Sequence, residues 1–175
     1  MKKLIYVAEQ GQIHQEPNRS AINRLDQIDF FQEHPELFKG KSVLELGCGD
    51  AYLRYWQEKL GYTSYFGVDK DPRFNPDLLA DFNNDHFKGF LEDKSFGLVL
   101  ALQVLPGDLS VMEKCLEQDG HFVHQSGTFM YASKNVEEMI RRHFKIVGKQ
   151  EYEIIVKEGV EETELNNVFV ICKKP

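Results

Sequence analysis

An open, doubly wound α/β sheet is the fold class that this sequence predicts, and three observations carry it. A short apolar strand (Val43, Leu44, Leu46) runs into a glycine turn, Gly47-Cys48-Gly49. A second strand, SYFGVD, ends in Asp69, twenty residues beyond Gly49. From there short apolar runs alternate with helical periodicity, as they do when parallel strands are joined by crossover helices.

Taken in order, residues 1–40 form an N-terminal segment that precedes this pattern. Leu4–Val7 reads as a short strand and Gly11–Pro17 as a loop. From Ser20, an N-cap candidate, the apolar positions Ile22, Leu25, Ile28, Phe30 and Phe31 keep helical spacing until Pro35 stops them. Strand one is Ser42–Leu46, followed by a helix over Asp50–Leu60 that Gly61 closes. Strand two is Ser64–Asp69. Strand three is a short Leu78–Ala80, followed by a helical segment over Asn84–Leu91. Strand four, Phe96–Leu102, is a continuous apolar run of the kind buried on both faces of a parallel sheet. A helix over Asp108–Glu117, a turn at Asp119-Gly120, strand five at His121–Gln125 and a helix over Asn135–His143 come next. The ending changes character: a β-rich stretch, Phe144–Lys157, then an acidic loop, then a strand at Val168–Cys172. No helix fits in that link, so the last two strands should pair antiparallel.

Composition narrows the function classes. With 175 residues, 42% of them hydrophobic, one domain with a sizeable core is expected, residues 41–175 carrying the sheet. A net charge of −7 disfavours phosphate backbones, so nucleic acid is not the expected partner. The three cysteines (Cys48, Cys115, Cys172) show no metal-like spacing, and no metal site is expected. The start of the chain is too weakly apolar for a signal peptide, and no run approaches the roughly 20 residues of a membrane span. The expectation is a soluble, cytoplasmic protein.

The glycine turn and the acid form a pair. Glycine lets a backbone bend sharply and lets a ligand approach it. An acid at that distance meets the ribose hydroxyls of an adenosine-containing ligand. Glu45-Leu46-Gly47-Cys48-Gly49-Asp50-Ala51 resembles motif I of the class I S-adenosylmethionine-dependent methyltransferases, and Tyr65-Phe66-Gly67-Val68-Asp69 resembles their second strand. The resemblance spans Lys41 to Cys172, with Ala51 standing where a third glycine is usual. It implies a Rossmann-like, mostly parallel sheet of seven strands in the order 3-2-1-4-5-7-6, the last strand antiparallel. It also implies S-adenosylmethionine as cofactor. On this resemblance Glu45, Gly47, Cys48, Gly49, Ala51, Leu102 and Gln103 line the methionine and ribose side. Asp69, with Lys70 beside it, meets the ribose. Asp81 and Phe82 meet the adenine, and the helix before strand one covers the cofactor; read from its own residues, that helix equally well packs on the sheet.

The implied activity is methyl transfer to a small molecule or a protein side chain. No N/D-P-P-Y/F sequence follows strand four, which agrees with the acidic charge in arguing against DNA base methylation. Such chemistry asks mainly that the nucleophile be held against the methyl group. A base matters only where the acceptor must lose a proton. His124, Gln125, Ser126 and Tyr131 lie near the end of strand five, and His14 and Arg19 precede the sheet; none is assigned as the base. Ala51, Gly97 in place of a usual carboxylate, and the lack of a substrate-recognition insert support a second class: a non-catalytic cofactor-binding module or partner subunit. A third, an NAD-dependent dehydrogenase, needs a small residue at Tyr52, where a bulky ring would block pyrophosphate.

Overall fold

The computed structural model describes residues 1–8, 16–104, 108–127, 133–158 and 161–175, without side chains at 8, 16–23, 86, 133–134 and 161. Its strands are β1 (Lys2–Ala8), β2 (Ser42–Leu46), β3 (Ser64–Asp69), β4 (Leu78–Leu79), β5 (Phe96–Leu102), β6 (Leu116–Gly127), β7 (Lys145–Glu158) and β8 (Glu161–Lys173). Its helices are α1 (Glu16–Glu33), α2 (Gln57–Leu60), α3 (Asp85–Leu91), α4 (Leu109–Cys115) and α5 (Ser133–Arg141). None of the described helices is long and apolar enough to cross a membrane.

All eight strands join one sheet in the order β1-β7-β8-β6-β5-β2-β3-β4. From Ser42 onward this is the expected seven-strand order, read from the β4 edge. The eighth strand corrects the count. β1 docks parallel on β7, pairing Lys2 with Tyr152 through Ala8 with Glu158. β2 through β6 run parallel, and β8 is antiparallel to both β6 and β7.

Two cores sandwich the sheet. On one face Phe30, Phe31, Leu37 and Phe38 pack on Leu98, Leu100, Val123, Tyr152 and Phe169. Phe30 stacks on Phe169 with centroids 4.2 Å apart. On the other, Phe87 and Leu91 of α3, Met112 of α4 and Ile140 of α5 cover Leu44, Val99, Ala101 and Phe122. β5 is buried at every position because both cores meet on it, which is why it reads as an unbroken apolar run.

Several element boundaries differ from expectation for local reasons. α1 starts at Glu16, not Ser20, because Pro17 suits a first helical turn, where its missing N–H costs nothing. The expected helix over Asp50–Leu60 is mostly a 3-10 turn, Tyr52–Trp56, with only four α-helical residues after it. Ala51 is left-handed, with φ of 50°, and three aromatic residues follow it; both work against an α-helix. Gly61 does close α2, with φ of 72° and its N–H on the Gln57 carbonyl. Asp119-Gly120 lies inside β6, at an irregularity where the register with β5 jumps. The acidic residues Glu162 and Glu164 belong to β8, pairing with Lys157 and Ile155; only 159–160 of the expected loop lie outside the described residues. The Gly11–Pro17 loop is likewise outside them as far as residue 15.

Candidate functional site

The site is built from the carboxyl end of β2. Where the strand stops, the N–H groups of Gly47 and Cys48 both reach the Val68 carbonyl of β3, at 2.8 and 3.1 Å. This turns the chain sharply and puts Gly47 at φ of 65° and Gly49 at φ of 53°. The two glycines are needed for different reasons. A Cβ on Gly47 would lie 2.4 Å from Val104 Cγ1, so Gly47 serves close packing. A Cβ on Gly49 would meet nothing within 4 Å, so Gly49 leaves open space against the backbone. Ala51 shares the left-handed backbone, which accounts for glycine being usual at that position.

Asp69 braces the turn. Its Oδ2 accepts the Gly49 N–H at 2.9 Å, and its Oδ1 accepts the Asp71 N–H at 2.9 Å. Each oxygen retains a further lone pair.

Beside the turn lies a cavity of about 240 Å³ lined by Arg24, Gln27, Glu45, Gly47, Cys48, Gly49, Asp50, Tyr52, Leu102, Gln103 and Val104. Ligand pockets usually span roughly 300–1,000 Å³, so this one encloses part of a nucleoside-sized molecule and leaves the rest on the rim. Glu45 is its deepest charge-bearing group. Burial pushes this carboxyl up to about 8, opposed by the Tyr65 hydroxyl, which donates to Oε2 at 2.5 Å. Burial likewise pushes the Cys48 thiol up to about 12, so it stays protonated. Arg24 forms an ion pair with Asp50 and lies 4.8 Å from the centroid of the Tyr52 ring.

Behind this cavity, polar side chains join the apolar ones in tying α1 to the sheet. Asp26 is fully buried and accepts from the Gln27 N–H (2.9 Å), Gln125 Nε2 (2.7 Å) and Asn167 Nδ2 (2.7 Å). Burial lifts its carboxyl to about 6 despite those bonds. Gln27 Nε2 donates to Gln125 Oε1 at 2.6 Å, and the Tyr52 hydroxyl donates to Gln27 Oε1 at 2.9 Å.

Of the residues singled out from sequence, Glu45, Gly47, Cys48, Gly49, Leu102 and Gln103 come together around the cavity. Gln103 does so with a left-handed φ of 56°, its N–H on the Gln125 carbonyl. Ala51 is buried in the turn behind them. Asp69 sits at the edge, and Lys70 is exposed beside it. Asp81 is exposed too; its carboxylate accepts the Asn83 N–H at 2.9 Å, a local turn bond. Phe82 packs on the core under α3 and α4.

Among the candidate bases, Gln125 belongs to the Asp26 network. His124 faces the other core, two residues on from Phe122. It is buried, without a side-chain hydrogen-bond partner among the described residues, and burial lowers it to about 4. Ser126 is buried in β6. His14 and Tyr131 lie outside the described residues, as does the Arg19 side chain. Sequence reasoning missed Arg24, Gln27 and Tyr52 as cavity residues and Asp26 as their anchor. An acid inside the apolar stripe Ile22, Leu25, Ile28 was the available signal for the last.

A second recess, of about 300 Å³, lies between α4 and the C-terminal Lys174-Pro175, lined by Ser110, Glu113, Lys114 and Gln118. It is larger but lies away from the strand ends where doubly wound sheets bind ligands. Among the described residues, no three His, Cys, Asp or Glu side chains converge to hold a metal ion.

Fold and site thus define a doubly wound α/β protein with a polar cavity at the switch point between β2 and β5. No family model matches the sequence. Solved structures do match it. The MccD protein superposes with a TM-score of 0.64 at 13% identity, over 86% of this chain and 97% of that one. The N-methyltransferase NodS from Bradyrhizobium japonicum WM9 gives 0.60 at 15%, over 90% and 99%. A TehB-like SAM-dependent methyltransferase from Corynebacterium glutamicum gives 0.58 at 17%, over 91% and 100%. The chain has the fold of the class I S-adenosylmethionine-dependent methyltransferases.

Proposed function

We propose that this chain is an S-adenosylmethionine-dependent methyltransferase acting on a small molecule or a protein side chain. The observation that carries the reading is the open wall at Gly49, flanked by Asp69 on one side and the Glu45 cavity on the other. The residues present suit the cofactor. The backbone at Gly49 is approachable, Asp69 keeps free lone pairs for ribose hydroxyls, and Asp50 is an acceptor for an ammonium. Glu45, Gly47, Gly49, Leu102 and Gln103 would hold the methionine side, with Asp69 and Phe82 along the rim for the nucleoside. When bound, the cofactor supplies a methyl group on a sulfonium, already activated for in-line attack.

The chain's own contribution is then positioning. Gly47 packed on Val104 holds the turn rigid, and Leu102 and Val104 keep water from one wall of the cavity. No general base is assigned, since one is needed only where the acceptor must lose a proton. The net charge of −7 favours acceptors other than nucleic acid. Three free, buried cysteines suit a reducing cytoplasm.

Thermal shift tests the cofactor. S-adenosylhomocysteine and S-adenosylmethionine should both raise the melting temperature, since each binds only the folded state, and NAD should not. A shift with NAD and none with S-adenosylhomocysteine would sink the assignment. Methyl-label transfer into small-molecule and protein fractions then separates an enzyme from a binding module, the reading that Ala51 in its left-handed turn keeps open.

A further inference from the structure

The α1 wall of the cavity is oriented from behind by a carboxylate that does not line it. Ionised Asp26 offers only acceptor oxygens, so each of its neighbours must point a hydrogen inward. The Gln125 and Asn167 amide nitrogens do so, as does the Gln27 N–H. With its nitrogen committed to Asp26, Gln125 turns its oxygen outward, to accept from Gln27 Nε2 at 2.6 Å. That in turn leaves the Gln27 oxygen facing Tyr52, whose hydroxyl donates to it at 2.9 Å. One buried charge therefore sets the direction of three successive side chains. The single proton of Tyr52 is spent on Gln27, and its oxygen has only a lone pair left for the cavity. Asp50, in the same lining, is an acceptor as well, and Arg24, the one cation among the described lining residues, is paired with it.

We propose that Asp26 is a positioning residue that sets Tyr52 as a hydrogen-bond acceptor toward the cavity, and that the group received there is the ammonium of an α-amino-acid moiety. This rests on the cofactor reading above and deepens it: recognition of that end is assigned to a network anchored outside the glycine turn.

The geometry makes an unusual variant informative. In Asp26→Asn the side-chain oxygen stays on the Gln27 N–H, and its new NH2 group faces Gln125 and Asn167. Both amides must flip, Gln27 must flip after them, and Tyr52 becomes the acceptor from Gln27. Its hydroxyl hydrogen then points into the cavity. Tyr52→Phe simply removes the group. The measurement is calorimetry at pH 8, where Asp26 is ionised, with two probes. S-adenosylhomocysteine carries the ammonium, and 5′-methylthioadenosine lacks the whole amino-acid end. Each single variant should lose about tenfold in affinity for the first probe and less than about twofold for the second. In the Tyr52→Phe background, adding Asp26→Asn should cost less than about twofold more, because Asp26 acts through Tyr52. Gln27→Met breaks the chain one link from Tyr52 and carries the same expectation should Asp26→Asn fail to fold. Equal loss on both probes, or an undiminished tenfold loss in the Tyr52→Phe background, would overturn the proposal in favour of a purely structural Asp26. Wild-type protein that binds neither probe overturns the cofactor reading instead.

Discussion

Along the carboxyl rim of the sheet, the β2–β5 half and the β3–β4 half satisfy their polar groups by different means. In the first, Glu45, Gln27 and Tyr52 are hydrogen-bonded to residues 20 or more positions away in sequence and line one cavity. In the second, Asp71 and Asp81 accept N–H bonds from residues two positions on, and Asp69 accepts one such bond besides its bond to Gly49. The β2–β5 half is preorganised by tertiary packing, so substitutions there should disturb fold and binding together. The β3–β4 half is held by its own turns, so substitutions there should separate the two.

Gly47 offers the largest test of that contrast. Gly47→Ala drives a Cβ into Val104 and strains a left-handed backbone, at a cost of about 3 kcal/mol. A melting temperature lower by roughly 6–12 °C is the expected reading. Gly49→Ala carries only the backbone strain, about 1 kcal/mol, yet puts a methyl group where the cofactor would approach. It should fold and fail to bind S-adenosylhomocysteine. If both variants melt alike, the close approach of Val104 is not what selects glycine at position 47.

Glu45 comes next. Burial keeps it protonated in the native state while the unfolded chain releases the proton from its ordinary 4.5 upward. The folded state therefore binds the extra proton, and stability falls by about 1.4 kcal/mol per pH unit until about 8. Three other groups complicate that window. Asp26 adds a fall up to about 6, while His124, lowered from 6.5 to about 4, and His121, also lowered by burial, add a rise that fades over the unit above 6.5. Between pH 6.5 and 8 the Glu45 fall outweighs that remainder, and the wild type should lose about 1 kcal/mol in urea melts. Glu45→Gln should flatten that slope; an unchanged slope would mean Glu45 is ionised throughout.

Asp69→Ala, in the other half, should weaken S-adenosylhomocysteine binding about tenfold. It should also cost about 1–2 kcal/mol of stability, because the Gly49 and Asp71 N–H groups lose their acceptor. Asp69→Asn retains one acceptor oxygen for two N–H groups, so it keeps one of those bonds and should fall between Ala and wild type. Calorimetry and melts on the same preparations separate the two effects. Equal affinity across the series would leave Asp69 as a brace for the turn and nothing more. The smallest effect belongs to Asp81→Ala: loss of one exposed turn bond, about 0.5 kcal/mol, with affinity within about threefold. A loss of tenfold or more would place Asp81 in the binding surface rather than in its turn.

The glycine turn, Asp69 and the strand succession were legible in the sequence because each is a local pattern. Gly47 and Gly49 mark a left-handed backbone, and β5 announces its double burial by unbroken apolar residues. The antiparallel β7–β8 pair followed from a link too short for a helix. What stayed illegible was non-local. The Asp50–Leu60 helix failed at Ala51, whose backbone conformation depends on how the turn docks against β3. β1 joined the sheet only because β7, a hundred and fifty residues later, supplied an edge for it.

The sequence by itself determined the order of elements, the switch point at Gly47–Gly49 and the acid that faces it, since periodicity and backbone freedom act over a few residues. Tertiary structure alone decided which polar groups share the cavity. Asp26 reads from its neighbours as an acid misplaced in an apolar stripe. It becomes an anchor only when Gln125 of β6 and Asn167 of β8 arrive with their N–H groups turned toward it. A buried carboxylate costs several kcal/mol without such donors. Those donors lie 99 and 141 residues away, beyond the reach of any local pattern.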